Sequence, residues 1–153
     1  MARHLLVVHH SRTGTTALLR DDVLAGITDA GGDVDVRSRR AFDAGPDDVT
    51  WADALVLCTP ANFGYMSGAL KDFFERVYHP CLEQTAGLPY ALVVKGDTDV
   101  DGAVASVERI VNGLRWRAIA PPVAVVGALT DDARAAAREL GATVAAALDA
   151  GII

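Results

Sequence analysis

Four hydroxyl side chains crowd one glycine in the segment HHSRTGTTALL, residues 9–19. Ser11, Thr13, Thr15 and Thr16 flank Gly14, and Arg12 lies among them. The segment follows the apolar run HLLVV (4–8) and leads into apolar residues at helical spacing. A helix that starts there offers unpaired backbone N–H groups and the positive end of the peptide dipole. With hydroxyl donors added and a glycine that permits a tight turn, such a junction can cradle a phosphate without lysine or metal. The competing reading is a helix start with surplus caps. The segment is neither a P-loop, which needs Gly-Lys-Ser/Thr, nor a GxGxxG turn.

A second stretch, DTDVDGAVASVE (97–108), fits D-x-D-x-D-G-x5-E, the ligand pattern of an EF-hand calcium loop. That loop needs a helix entering it, and here LPYALVVK (88–95) enters, which reads as a strand. Apolar spacing from Val104 predicts an exit helix from near Gly102 with Asp101 as N-cap. A helix starting there would stop the wrap short and carry Glu108 away from Asp97. The alternatives are a third loop of a ligand site or a solvated acidic turn at Asp99 and Asp101. No metal ligands are assigned. His9 and His10 are adjacent and lack a third ligand, so a structural role is expected for them. Cys58 sits in an apolar run and is expected to be an inert core residue. No Ser-His-Asp or Cys-His constellation emerges, and no catalytic side chain is assigned.

The elements that must position these residues alternate. Strands are expected at 4–8, 33–38, 52–60, 90–95 and 121–127. The second, DVDVRS, alternates as a half-buried edge strand does. A first helix over 14–30 places Leu18, Leu19, Val23, Leu24 and Ile27 together. Later helices follow from Leu70, Phe73, Phe74 and Val77, from the Val104–Leu114 spacing, and from Thr130 as an N-cap. Residues 39–52 predict a turn or a short helical piece. Apolar strands separated by helices imply an α/β fold, with a parallel sheet covered on both faces in three layers. Five strands favour the order 2-1-3-4-5, with the site at the carboxyl ends of the strands where the order reverses. That rule selects three loops: 9–16, 59–66 and 95–101.

Composition narrows the function. At 153 residues, 51% hydrophobic, the chain (1–153) has the size of one domain. A net charge of −6 argues against nucleic acid and against an anionic membrane surface. No apolar run approaches a membrane span, and no leader pattern is evident. A cytoplasmic location without a disulfide between Cys58 and Cys81 is the expectation.

SRTGTT resembles the FMN-phosphate loop of the flavodoxin family, T/S-x-T-G-x-T, with Ser11, Thr13, Gly14 and Thr16 matching and Thr15 where asparagine is frequent. TPANFGYMSGALKDFFER (59–76) resembles the third-strand loop and helix of flavin-dependent NAD(P)H:quinone and FMN reductases in the same superfamily. Pro60, Gly64, Met66, Ser67, Leu70, Lys71, Phe73, Glu75 and Arg76 match that run. The resemblance implies a flavodoxin-like fold and non-covalent FMN. The phosphate would lie on Ser11–Thr16. The ring edge would lie on backbone groups of Thr59, Pro60, Ala61, Asn62, Phe63 and Gly64, with Lys95, Gly96 and Asp97 along its pyrimidine side. Phe63 and Tyr65 are candidate walls for the ring or simple packing residues. The implied activity passes reducing equivalents from NADH or NADPH through FMN to a quinone or similar small acceptor. The alternative is an electron-transfer flavodoxin that shuttles single electrons between protein partners. The mixed charge of Asp97, Asp99 and Asp101 with Arg12, Lys71, Arg76 and Lys95 favours the enzyme. The resemblance also leaves room for a homo-oligomer.

Overall fold

The computed structural model describes residues 1–153. Its central strands are β1 (Arg3–His9), β3 (Ala54–Asn62) and β5 (Pro89–Gly96). Each divides its side chains between two cores. Leu6, Val8, Leu55, Leu57, Leu92 and Val94 enter one cluster, whereas Leu5, Val7, Val56, Cys58, Ala91 and Val93 enter the other. This is the period-two consequence of a strand buried on both faces, and it is why these segments read as continuous apolar runs.

The first cluster is closed by α2 (Pro46–Trp51), α3 (Gly68–Cys81) and α4 (Asp101–Leu114), through Val49, Phe73, Phe74, Val77, Val107 and Val111. The second is closed by α1 (Thr15–Ala30) and α5 (Asp131–Asp149), through Leu19, Val23, Ile27, Leu140 and Val144. Three layers result. On α1 the buried face runs through Leu19, Val23, Gly26 and Ile27, so Leu18 falls outside it and is 44% exposed, contrary to its expected place. The two helices of this layer are joined by a two-pronged ion pair, with Arg134 Nε and Nη2 donating to Asp22 at 2.9 and 3.1 Å. Thr130 is the N-cap of α5 as expected, its side chain accepting the Ala133 N–H at 3.1 Å.

Parallel pairing places β2 (Val34–Arg40) beside β1, β1 beside β3, and β3 beside β5. The short helical piece expected near residues 39–52 is α2. The fifth strand differs from its expected span. It comes as two pieces on the same neighbour, β6 (Arg117–Ala118) pairing Pro89–Tyr90 and β7 (Val123–Val126) pairing Val93–Gly96. Pro121 and Pro122, expected inside the strand, lie between the pieces. They have no N–H for the ladder, and four residues bulge where the neighbour has two. With this split, the order is the expected 2-1-3-4-5. Between the third strand and α3 the chain adds a two-residue strand, β4 (Tyr65–Met66), antiparallel to the end of β3.

Candidate functional site: three loops at the sheet rim

The carboxyl ends of β1, β3 and β5 share one rim. His9 pairs with Cys58, and Pro60 pairs with Lys95. Because the chain leaves β1 towards β2 on one side and returns to β3 on the other, loops diverge at this point and leave a crevice. A cavity of about 110 Å³ opens there, lined by Arg12, Thr13, Thr15, Thr16, Pro60, Ala61, Asn62, Lys95, Gly96 and Asp97. All ten come from the three loops selected on the sequence.

The first wall is the hydroxyl-rich junction. Gly14 is the N-cap of α1 and has φ of 101°, a left-handed conformation that glycine adopts without strain. It has no side chain to cap the helix. Ser11 Oγ accepts the Gly14 N–H at 3.1 Å and closes the loop. The hydroxyl cluster is therefore not consumed as helix caps, against the surplus-cap reading. Thr13, Thr15 and Thr16 line the cavity at the start of a 16-residue helix whose dipole points its positive end there.

The second wall is a hairpin. Ala61 and Asn62 pair with Met66 and Tyr65, and the turn between them has φ of 53° at Phe63 and 70° at Gly64. Two positive φ values mark a primed two-residue turn, the kind that suits strand twist. Phe63 is an unusual residue for that conformation and stands fully exposed at the tip. It packs on nothing, contrary to the packing reading, and neither it nor Gly64 lines the cavity. Thr59 is also outside it. Its buried hydroxyl donates to the Pro60 carbonyl at 2.8 Å and accepts the Ser67 N–H at 3.0 Å. Through that hydroxyl it locks the base of the hairpin. Ser67 then caps α3, its Oγ accepting the Leu70 N–H at 3.1 Å.

The third wall follows β5. Lys95 Nζ donates to Asp97 Oδ1 at 2.8 Å, and this bond holds the Asp97 carboxyl below its usual range. The helix after it begins at Asp101 with Val100 as N-cap, one residue earlier than expected. Asp99 Oδ1 accepts the Asp101 N–H at 2.9 Å. Glu108 is thus carried about 10 Å along α4 from its first residue, at 1.5 Å per residue. The calcium wrap is not formed. The glycine of that pattern has another use. A Cβ on Gly102 would lie 2.1 Å from the Gly64 carbonyl oxygen, so α4 packs directly on the hairpin turn. Ser106, one turn further on, accepts the Met66 N–H at 3.0 Å and donates to the Ala103 carbonyl at 2.7 Å. Ser106 was not singled out on the sequence. The available signal was a serine on an otherwise apolar helix face, among Ala103, Val107 and Val111.

The remaining candidates sort by environment. His9 is buried, and its pKa is lowered to about 4, first by desolvation and then by Arg20, so it is neutral at pH 7. Arg20 Nη1 lies 3.3 Å from His9 Nδ1, which places the imidazole proton on Nε2. Burial and Arg12 lower His10 as well. Burial pushes the Cys58 thiol up to about 12, which makes it inert at neutral pH. Arg76 is spent structurally. Its Nη1 and Nη2 donate to the carbonyls of Ala44 and Ala41 at 2.7 and 2.8 Å, and its Nε to Asp72 at 2.8 Å. Lys71 and Glu75 pair at 3.7 Å along α3. They border a separate groove of about 310 Å³ with Phe74, Tyr78, His79 and Ile110, away from the three loops.

Comparison with known proteins identifies the family. Residues 19–131 match the family model for NADPH-dependent FMN reductase, and the chain belongs to that family, among the flavodoxin-like flavoproteins. The match begins after the hydroxyl-rich loop and includes the other two. A flavodoxin of Aquifex aeolicus (strain VF5) is 36% identical over 73 residues, which is 48% of this chain and 39% of the relative. An archaeal flavodoxin superposes with a TM-score of 0.78 at 17% identity, covering 93% of this chain and 96% of that one. An NADH:FMN oxidoreductase gives 0.75 at 20% identity, covering 94% and 90%. At these identities the two structural likenesses speak to the fold alone.

Proposed function

We propose that the chain binds FMN non-covalently at the three-loop rim and works as an oxidoreductase, taking reducing equivalents from NADH or NADPH and passing them to a quinone or similar small acceptor. The observation that carries this is the cavity whose lining combines unspent threonine hydroxyls, a helix N-terminus and the cations Arg12 and Lys95. That donor set suits a phosphate on a polyol, which is the non-aromatic half of FMN. Thr13, Thr15, Thr16 and the first N–H groups of α1 would hold the phosphate. Backbone groups of Pro60, Ala61 and Asn62 on one side, with Lys95, Gly96 and Asp97 on the other, would hold the polar edge of the ring.

When bound, FMN supplies a ring nitrogen that accepts hydride and can release electrons singly or in pairs. The protein's part is position and electrostatics. Lys95, with its side chain 14% exposed, fixes a cation beside the cavity, and its bond to Asp97 restrains the third loop. Neutral His9 adds no charge behind the first loop at pH 7. The second reading, an electron carrier between proteins, draws on Asp97, Asp99 and Asp101 near the rim. It is weakened by the cations interleaved with them, because a docking face for basic partners needs one dominant sign.

The binding assignment is tested by flavin fluorescence quenching. Replacing Thr13 and Thr16 together with alanine removes two hydrogen bonds to a charged group, each contributing roughly 1.5–3 kcal/mol. FMN affinity is expected to fall at least tenfold while the unfolding free energy stays within about 1 kcal/mol of the parent. Unchanged affinity would refute the assignment of the phosphate to this loop.

A further inference from the structure

The hydroxyl-rich loop has a second side. Across Arg12 from the three-loop cavity lies another concavity of about 490 Å³, bordered by His9, His10, Arg12, Arg20, Arg40 and Phe42. No carboxylate lines it. Arg20 and Arg40 are each paired at 2.8 Å with Asp21 and Asp43 outside it, whereas Arg12 has no carboxylate partner. Arg12 is thus the one arginine of the cavity whose charge no carboxylate offsets, in a chain of net charge −6. Burial is the main cause that lowers both histidines; at His9 Arg20 and Arg40 add to it and Asp21 opposes it, and at His10 Arg12 adds to it.

The far wall is a held turn. Ala41 and Ala44 are buried, and their carbonyls are gripped by Arg76. The Ala41 N–H donates to the His9 carbonyl at 2.8 Å, and the Ala44 N–H to the Arg40 carbonyl at 3.0 Å. Between these anchors Phe42 is 60% exposed, its ring edge-on to His10 with centroids 6.2 Å apart. An exposed phenylalanine on a floppy loop would mean little. One fixed on both sides, on the border of a cavity that arginines also line, is a platform for an aromatic base beside donors for a phosphate.

We propose that this cavity is a second anion site, one that takes the phosphate of a nucleotide whose base rests on Phe42. The nucleotide could be free, or it could be the adenosine phosphate end of a dinucleotide flavin whose first phosphate sits in the hydroxyl-rich loop. The cavity has the size of small-molecule sites, about 300–1,000 Å³. The free-nucleotide form goes beyond the FMN reading and does not require it, whereas the dinucleotide form rests on it.

Two titrations test it. ADP is titrated by calorimetry into protein saturated with FMN, and FAD is compared with FMN by fluorescence quenching on flavin-free protein. Both are repeated with Arg40→Gln and Phe42→Ala, whose side chains are exposed and whose loss leaves both cores intact. For a free nucleotide, ADP binds one-to-one alongside FMN and weakens about tenfold in each variant, with FMN affinity unchanged. For the dinucleotide, FAD binds more tightly than FMN in the parent, and each variant removes that advantage. Absence of both effects would overturn the site. So would ADP that displaces FMN, or binding that neither variant alters. If FMN itself fails to bind, the function proposed above falls, and the ADP titration is read on flavin-free protein.

Discussion

His9 sits at the point where β1 hands the chain to the hydroxyl-rich loop, and its burial has a consequence in solution. An unfolded chain protonates histidine near pH 6.5, whereas the folded state resists until about pH 4. Above pH 6.5 both states carry neutral imidazole and the difference vanishes. As the pH falls from 6.5 to 4, the unfolded state gains a proton that the folded state does not, so stability declines through that window and levels below it. The full shift corresponds to at most about 3 kcal/mol, with His10 adding in the same direction. Urea unfolding at pH 7, 5.5 and 4.5 should show the decline, and His9→Gln should flatten it. An equal slope in the variant would mean that His9 is protonated as readily folded as unfolded. Residue identity also explains what could be read directly. Hydroxyls around a glycine at a strand-to-helix junction pointed to the rim, where Thr13, Thr15 and Thr16 line the cavity, whereas Thr59 gave no sign that its hydroxyl is spent inside the hairpin.

Among the elements, the hairpin and α4 form one mechanical unit, and Gly102 is where they touch. Alanine near the start of a helix normally gains up to about 1 kcal/mol over glycine. Here the added methyl would meet a backbone carbonyl oxygen at 2.1 Å, which cannot rotate away. Overpacking of this kind costs about 1–3 kcal/mol, so the clash outweighs the propensity gain. Gly102→Ala should lower the urea midpoint and also weaken FMN binding, because relief requires the hairpin to shift. A midpoint at or above that of the parent would show that the contact is loose. The continuous apolar runs of the central strands, the helical spacing in α1, α3 and the body of α4, and the Thr130 cap of α5 made these elements legible. The β4 hairpin, α4's first turn and the split fifth strand were not, for a shared reason. Their shape is fixed by tertiary contacts, namely Gly102 against Gly64, Ser106 on Met66 and a proline pair facing β5. An Asp-Gly step that reads locally as a calcium turn is, in the fold, a packing glycine.

For the molecule as a whole, strand order carried more of the functional reading than any single residue. Once the order reverses between β1 and β3, three loops must meet at one rim, and the cavity lined by ten of their residues is where they meet. The charge there is mixed, with Arg12 and Lys95 beside Asp97. The protein contains no helix long and apolar enough to cross a membrane. The mixed charge suits the small-molecule donors and acceptors proposed above, and a direct test separates the oxidoreductase from the carrier. The absorbance of the purified protein, supplemented with FMN where needed, should be followed under anaerobic conditions on addition of NADH and then NADPH. Visible flavin bands that bleach within the turnover time of an enzyme, and return when a quinone is added, are the predicted result. Bands that persist with both nucleotides, while chemical titration resolves two separate one-electron potentials, would contradict the oxidoreductase and favour the carrier. A protein that takes up no FMN at all would contradict the account at its base.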